Sequence, residues 1–139
     1  MNADAIALAQ ETLSGALLKV NSGDDIMMSD KSVDVTLTDM TLIYVGEIKN
    51  YLKEIRRITR NHIVLCEFHH PSLLKRLVLK WKSGYNAYDY RKLLTTLGFY
   101  DIMIFKLKPE DWPDEHGIAH EPQKTYAHII IARVPKRNV

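Results

Sequence analysis

The chain has 139 residues, 46% hydrophobic and 26% charged, the size and balance of one ordinary domain with one core. Its formal net charge of +2 is too small to demand nucleic acid or an acidic membrane as partner. No signal peptide opens it and no apolar run approaches the ~20 residues of a membrane span, so a soluble, cytoplasmic protein with no membrane partner is expected.

The opening reads as a helix, with Asn2 as cap, Asp4 favoured at the positive end, and Ile6, Ala9, Leu13 and Leu17 on one face. Gly15 can end it or weaken its last turn. Residues 16–20 read as a short apolar strand and 21–31 as a loop. Residues 33–39 are rich in β-branched types and form a strand. Asp39 and Met40 stand at its carboxyl end, where open α/β sheets bind ligands. After Gly46, Ile48, Tyr51, Leu52 and Ile55 recur at helical spacing. Residues 61–68 are a nearly continuous apolar run, which suits a strand covered on both faces. Cys66, the only cysteine, excludes an internal disulfide and reads as a small buried hydrophobe.

Residues 69–81 read as a helix with Pro71 near its first turn. Residues 82–85 break it, 88–97 form another helix, and Gly98 is placed just past its end. Residues 100–107 are a strand, 108–124 a long irregular loop with three prolines, and 125–134 a final strand. No helix separates the last two strands, so they should pair antiparallel. The basic clusters at 49–60 and 75–82 read as solvated faces of amphipathic helices, and no nucleic-acid partner is expected. There is no repeat or linker, so residues 1–139 form a single α/β domain.

Several stretches, in this order, resemble the second half of a class I S-adenosylmethionine-dependent methyltransferase. The family's "D-x-S-F-D" stretch before its fourth strand stands as Asp30-Lys31-Ser32-Val33-Asp34. Its helix pattern "L-x-E-x-x-R" stands as Leu52, Glu54 and Arg57. Its fifth strand matches Ile63 to Glu67, and "L-L-x-x-x-G-F" stands as Leu93 to Phe99. The resemblance runs from about residue 3 to residue 134 and implies a Rossmann-like methyltransferase sheet, N-terminally truncated, with antiparallel final strands.

The family's glycine-rich loop has no counterpart, because no G-x-G occurs in the chain. The acidic residue that binds the ribose hydroxyls is also missing. Glycine lets backbone approach the cofactor there, so the chain alone should bind S-adenosylmethionine weakly or not at all. A natural short product, a fragment, and a site completed by another chain all fit this pattern.

The resemblance places Asp24 and Asp25, or by alignment to residues 30–34 Ser22 instead, near the adenine amine, where an acidic acceptor would take a hydrogen bond; a solvated turn is the alternative. Asp39 and Met40 would line the cofactor mouth. Tyr44 would face substrate or cap the sheet. Glu67 and His69 would sit near a small-molecule acceptor, with His69 able to act as a base. Strand alternation puts Cys66 and His70 on one face and Glu67 and His69 on the other, so no metal site is expected.

The activity implied is methyl transfer to a small acceptor. A non-catalytic remnant or interaction module with the same fold is the alternative. With the first strand absent, one side of 33–39 should be unpaired. Residues 16–20 could fill it, or a homodimer or a complementing N-terminal segment could.

Overall fold

A computed structural model describes residues 3–13, 15–16, 18–19, 21–108 and 126–136. Helix α1 spans Ala3–Thr12. Strand β1 is Val33–Asp39, followed by a 3-10 turn at Leu42–Tyr44 and helix α2 at Ile48–Ile58. Strand β2 is Thr59–Phe68, helix α3 Leu73–Ser83 and helix α4 Tyr90–Thr96. Strands β3 (Tyr100–Lys106) and β4 (Ala127–Arg133) complete the sheet. The expected loop beyond Lys108 lies outside the described residues, as do Asn2 and Leu17.

The strands lie in the order β1-β2-β4-β3. β1 and β2 are parallel, as a strand–helix–strand unit requires. β4 runs antiparallel to both β2 and β3. Among the described residues β1 is therefore an edge strand. The expected strand over 16–20 does not form at its described residues 16, 18 and 19. A short stretch needs a ladder to hold it extended, and among the described residues β1 pairs with β2 alone.

One face of the sheet carries the main core. Ile63, Leu65, Ile130 and Ala132 pack there against Leu52 and Ile55 of α2 and Tyr90 and Leu94 of α4. Helix α2 is amphipathic, with Ile48, Leu52, Ile55 and Ile58 buried at helical spacing. On the other face, register aligns Leu37, Val64, Ile131 and Met103 in one row. Val35 is 51% exposed there and Leu37 68%. Thr36 and Thr38 instead turn toward the covered side and are half-buried. The apolar residues of β1 thus face a surface that the described residues leave open.

A second cluster joins Ile43, Phe68, Leu79, Ala87 and Ala127 at the carboxyl end of β2. α3 begins later than the periodicity indicates. His69 remains extended, bridged to Tyr88, and Ser72 caps the helix after Pro71. α4 starts behind Asp89, whose Oδ1 accepts from the Lys92 amide at 3.2 Å. It ends at Gly98, whose φ of +81° is the left-handed conformation that favours glycine.

Candidate functional site

The open edge of β1 forms one wall of a groove of about 1150 Å³. The loop from Asn21 to Ile26 forms the opposite wall, and Tyr44 to Glu47 with Tyr51 close the end. Met40 donates its amide to the Cys66 carbonyl at 2.8 Å. Alternation then turns the backbone groups of Val35, Leu37 and Asp39 outward along this wall.

Two devices set the loop in place. The first is close contact: a Cβ at Gly23 would clash with the edge of the Tyr51 ring, so glycine lets the loop lie on that ring. The second is a clamp from α2. Arg57 donates two bonds to the Glu54 carboxylate, both at 2.8 Å. It also donates to the carbonyls of Met28 at 2.7 Å and Ile26 at 2.8 Å, and to Asp30 at 3.0 Å. Glu54 in turn accepts from the Ile26 amide at 3.0 Å. The planar guanidinium supplies this fork geometry, which lysine would not. Hydrogen bonding to Glu54 and Asp30 pushes Arg57 up, and hydrogen bonding to Arg57 pulls Glu54 below its usual value. Glu54 and Arg57 of the "L-x-E-x-x-R" pattern thus fasten the segment that leads from the groove to β1.

The turn after β1 is held from behind by Glu67, which is fully buried. Its Oε1 accepts from the amides of Thr41 and Leu42, each at 3.1 Å, and Oε2 also accepts from Leu42 at 3.1 Å. Burial pushes its carboxyl above the usual range, and those amides partly offset this. Met40 sits in the left-handed region at φ +46°, a conformation costly for a bulky side chain. The Asn86 side chain donates to the Val45 carbonyl at 2.9 Å, and the Tyr88 hydroxyl donates to the same carbonyl. These bonds fix the exit of the turn.

Of the residues singled out from the sequence, Ser22, Asp24, Asp39 and Tyr44 meet in the groove. Ser22 Oγ donates to the Asp24 carboxylate. Asp25 closes the small turn opposite Ser22 and is absent from the lining. Met40 packs against the second core cluster rather than into the groove. Glu67 reaches the groove only through the turn that it holds. His69 lies elsewhere, in a smaller cavity of about 440 Å³ with Asp89, Arg91 and Lys92. Its Nδ1 accepts from the Tyr90 amide at 3.2 Å and lies 3.0 Å from the Tyr88 carbonyl. Burial pulls its pKa down, and neighbouring His128 adds to this. Burial and the adjacent Asp39 push the Cys66 thiol up to about 12, so it is not a nucleophile at neutral pH. Thr36, Thr38 and Thr41 also line the groove, and sequence reasoning missed them. Their alternation with Val35 and Leu37 was the available signal.

The groove has a one-sided chemistry. Asp24, Asp39 and Glu47 line it, and among the described residues no lysine or arginine does. It can accept hydrogen bonds from amines and hydroxyls and can stabilise a positive centre. Among the described residues no group of three or more His, Cys, Asp or Glu is placed to hold a metal ion.

The fold is that of the class I S-adenosylmethionine-dependent methyltransferases. The chain superposes on a chain of the complex between the Haloferax volcanii Trm112 methyltransferase activator and its methyltransferase. There the TM-score is 0.73 at 14% identity, over 96% of this chain and 69% of that one. It is similar in the same way to methyltransferases of Methanosarcina mazei and Mesorhizobium loti. For the first the TM-score is 0.63 at 18% identity, covering 95% of this chain and 78% of that one. For the second it is 0.65 at 14% identity, covering 95% and 76%. No protein-family model matches the sequence, and no curated protein matches it.

Proposed function

We propose that this chain supplies the adenine and acceptor side of an S-adenosylmethionine-dependent methyltransferase, whose site is completed from outside the described residues. The observation that carries this is the groove, which among the described residues is acidic, lined by no lysine or arginine, and set along an edge of β1 that no strand covers. S-adenosylmethionine has an exocyclic amine, two ribose hydroxyls, an ammonium and a sulfonium, all suited to acceptors. Ser22 and Asp24 would take the amine, and Asp39 would lie toward the positive centres. The described lining offers the cofactor's own carboxylate neither a cation nor a glycine-rich turn. When bound, the cofactor supplies an electrophilic methyl group. The protein's share is then alignment, which can contribute most of the acceleration of an in-line transfer.

The partner that completes the site would pair with β1 and cover Val35 and Leu37. A second copy of the chain is the partner we favour, since a long apolar edge pairs readily with another chain. A complementing segment that precedes this one in sequence is the alternative. That a methyltransferase of this fold occurs in complex with an activator protein supports association as a mode of action. Calorimetric titration of the isolated chain with S-adenosylmethionine tests the incompleteness directly. We expect no binding in the micromolar range, and micromolar affinity would overturn it. Light scattering tests the assembly: a dimer is expected, and a stable monomer at high concentration would leave the complementing segment as the partner.

A further inference from the structure

Helix α3, LLKRLVLKWKS, presents its apolar residues to solvent. Leu73, Leu74, Leu77 and Val78 are exposed, and Trp81 is 83% exposed. At about 100° per residue these five fall within an arc of about 140°. Leu79, the one buried residue of the helix, lies about 170° from the centre of that arc. The stripe therefore points directly away from the domain. Cations border it: exposed Lys75 and Lys82 on one side, and on the other Arg76, half-buried, and Lys80, whose ammonium donates to the Gly84 carbonyl at 2.8 Å. No acidic residue occurs between Glu67 and Asp89.

We propose that α3 is an in-plane anchor for an anionic lipid surface. Leucines and a tryptophan facing outward with lysines along both borders is the pattern by which a helix lies in a bilayer interface. The lysine stems can lie along the apolar boundary while their ammonium groups reach the phosphates. The length of the helix is no obstacle. No helix among the described residues is long and apolar enough to cross a membrane, but a helix lying on the surface has no span to cover. The absence of a spanning run, read from the sequence, excluded only insertion.

Charge decides between a lipid surface and a second copy of the helix. Two such stripes pressed together would bring cation borders onto cation borders, which is repulsive in the desolvated rim of an interface. An anionic surface offers the opposite sign to both borders at once. The site also has a consistent place in the fold. Tyr85, two residues after the helix, packs edge-on against Tyr44 with ring centroids 5.6 Å apart, and Tyr44 lines the groove. The carboxyl end of α3 thus neighbours a residue that lines the groove.

The test uses the full chain with sedimenting vesicles of phosphatidylcholine alone, and of phosphatidylcholine with about one quarter phosphatidylserine. The chain should sediment with the anionic vesicles and stay in solution with the neutral ones. In a Trp112→Phe background, Trp81 emission should shift to the blue with the anionic vesicles only. Leu74→Gln/Leu77→Gln should abolish binding, with the circular dichroism spectrum unchanged because both residues are exposed. Lys75→Gln and Lys82→Gln should each weaken binding about fivefold, which keeps the test independent of the leucine variant. No binding to anionic vesicles, or equal binding to both kinds, would overturn the proposal. So would a dimer that Leu74→Gln/Leu77→Gln converts to monomer, since α3 would then be covered by a second copy.

Discussion

Replacing Glu67 separates two reasons for burying a carboxylate. Its oxygens hold the amides of Thr41 and Leu42 at 3.1 Å, with Glu67 and Leu42 themselves shut off from solvent. Glu67→Ala removes the acceptor, leaving the Leu42 amide buried and unpaired and the part-buried Thr41 amide at the groove without its partner. A buried unpaired amide costs about 1–3 kcal/mol and the part-buried one less, so about 3 kcal/mol is expected before any cavity is counted. That is a large share of a typical domain's stability of about 5–15 kcal/mol. Glu67→Gln keeps one carbonyl oxygen for the same amides and should stay within about 1 kcal/mol of the parent.

The direction of the carboxyl shift sharpens this contrast. The folded pKa is raised by burial, so the fold accommodates the neutral form better than the charged one. The group's favourable contribution is full below its unfolded value and is lost as pH rises through the folded value. Glu67→Gln, a mimic of the neutral acid, should therefore gain on the parent as pH rises across that window. Urea unfolding followed by far-UV circular dichroism, at several pH values, reads all three proteins. Equal stabilities for Glu67→Ala and Glu67→Gln would refute the acceptor role, and a parent that gains on Glu67→Gln with rising pH would refute the sign.

Gly23→Ala should destabilise the chain by about 1–3 kcal/mol, because the new methyl meets the Tyr51 ring; Tyr51→Ala should recover most of the loss in the double variant, read by the same urea assay. Stability should also fall on acidification through the imidazoles of His69 and His128, whose ring centroids are 5.1 Å apart. Burial lowers both folded values, so stability present above the unfolded value of about 6.5 is lost as pH falls through the folded values. His128→Gln should flatten that decline in thermal melts between neutral and mildly acidic pH.

The parallel pairing of β1 and β2 followed from the strand–helix–strand pattern, and the antiparallel ending from the missing helix between the last strands. Such features are local and periodic, and so visible in one chain. The strand expected at 16–20 shows the limit of that reading. At its described residues 16, 18 and 19 no strand forms, because a strand exists only with a ladder partner, which is not a local property. The groove was partly legible, because Ser22, Asp24, Asp39 and Tyr44 lie on segments that the resemblance had aligned. Glu67 and His69 stand at the carboxyl end of a strand, where ligands often sit. What the sequence could not convey is that the carboxylate of Glu67 turns back onto two backbone amides and that His69 opens on a different cavity. The outward stripe of α3 was hidden for a similar reason. Periodicity identifies an apolar face without saying whether the domain or the solvent receives it.

The central claim is that the groove beside β1 is one side of a cofactor site. Mapping amide shifts of the labelled chain against millimolar S-adenosylhomocysteine reads weak binding residue by residue. The account predicts fast-exchange shifts confined to Ser22, Asp24, Leu37 to Asp39 and Tyr44. No shifts at all, or shifts centred on the cavity of His69 and Arg91, would contradict it.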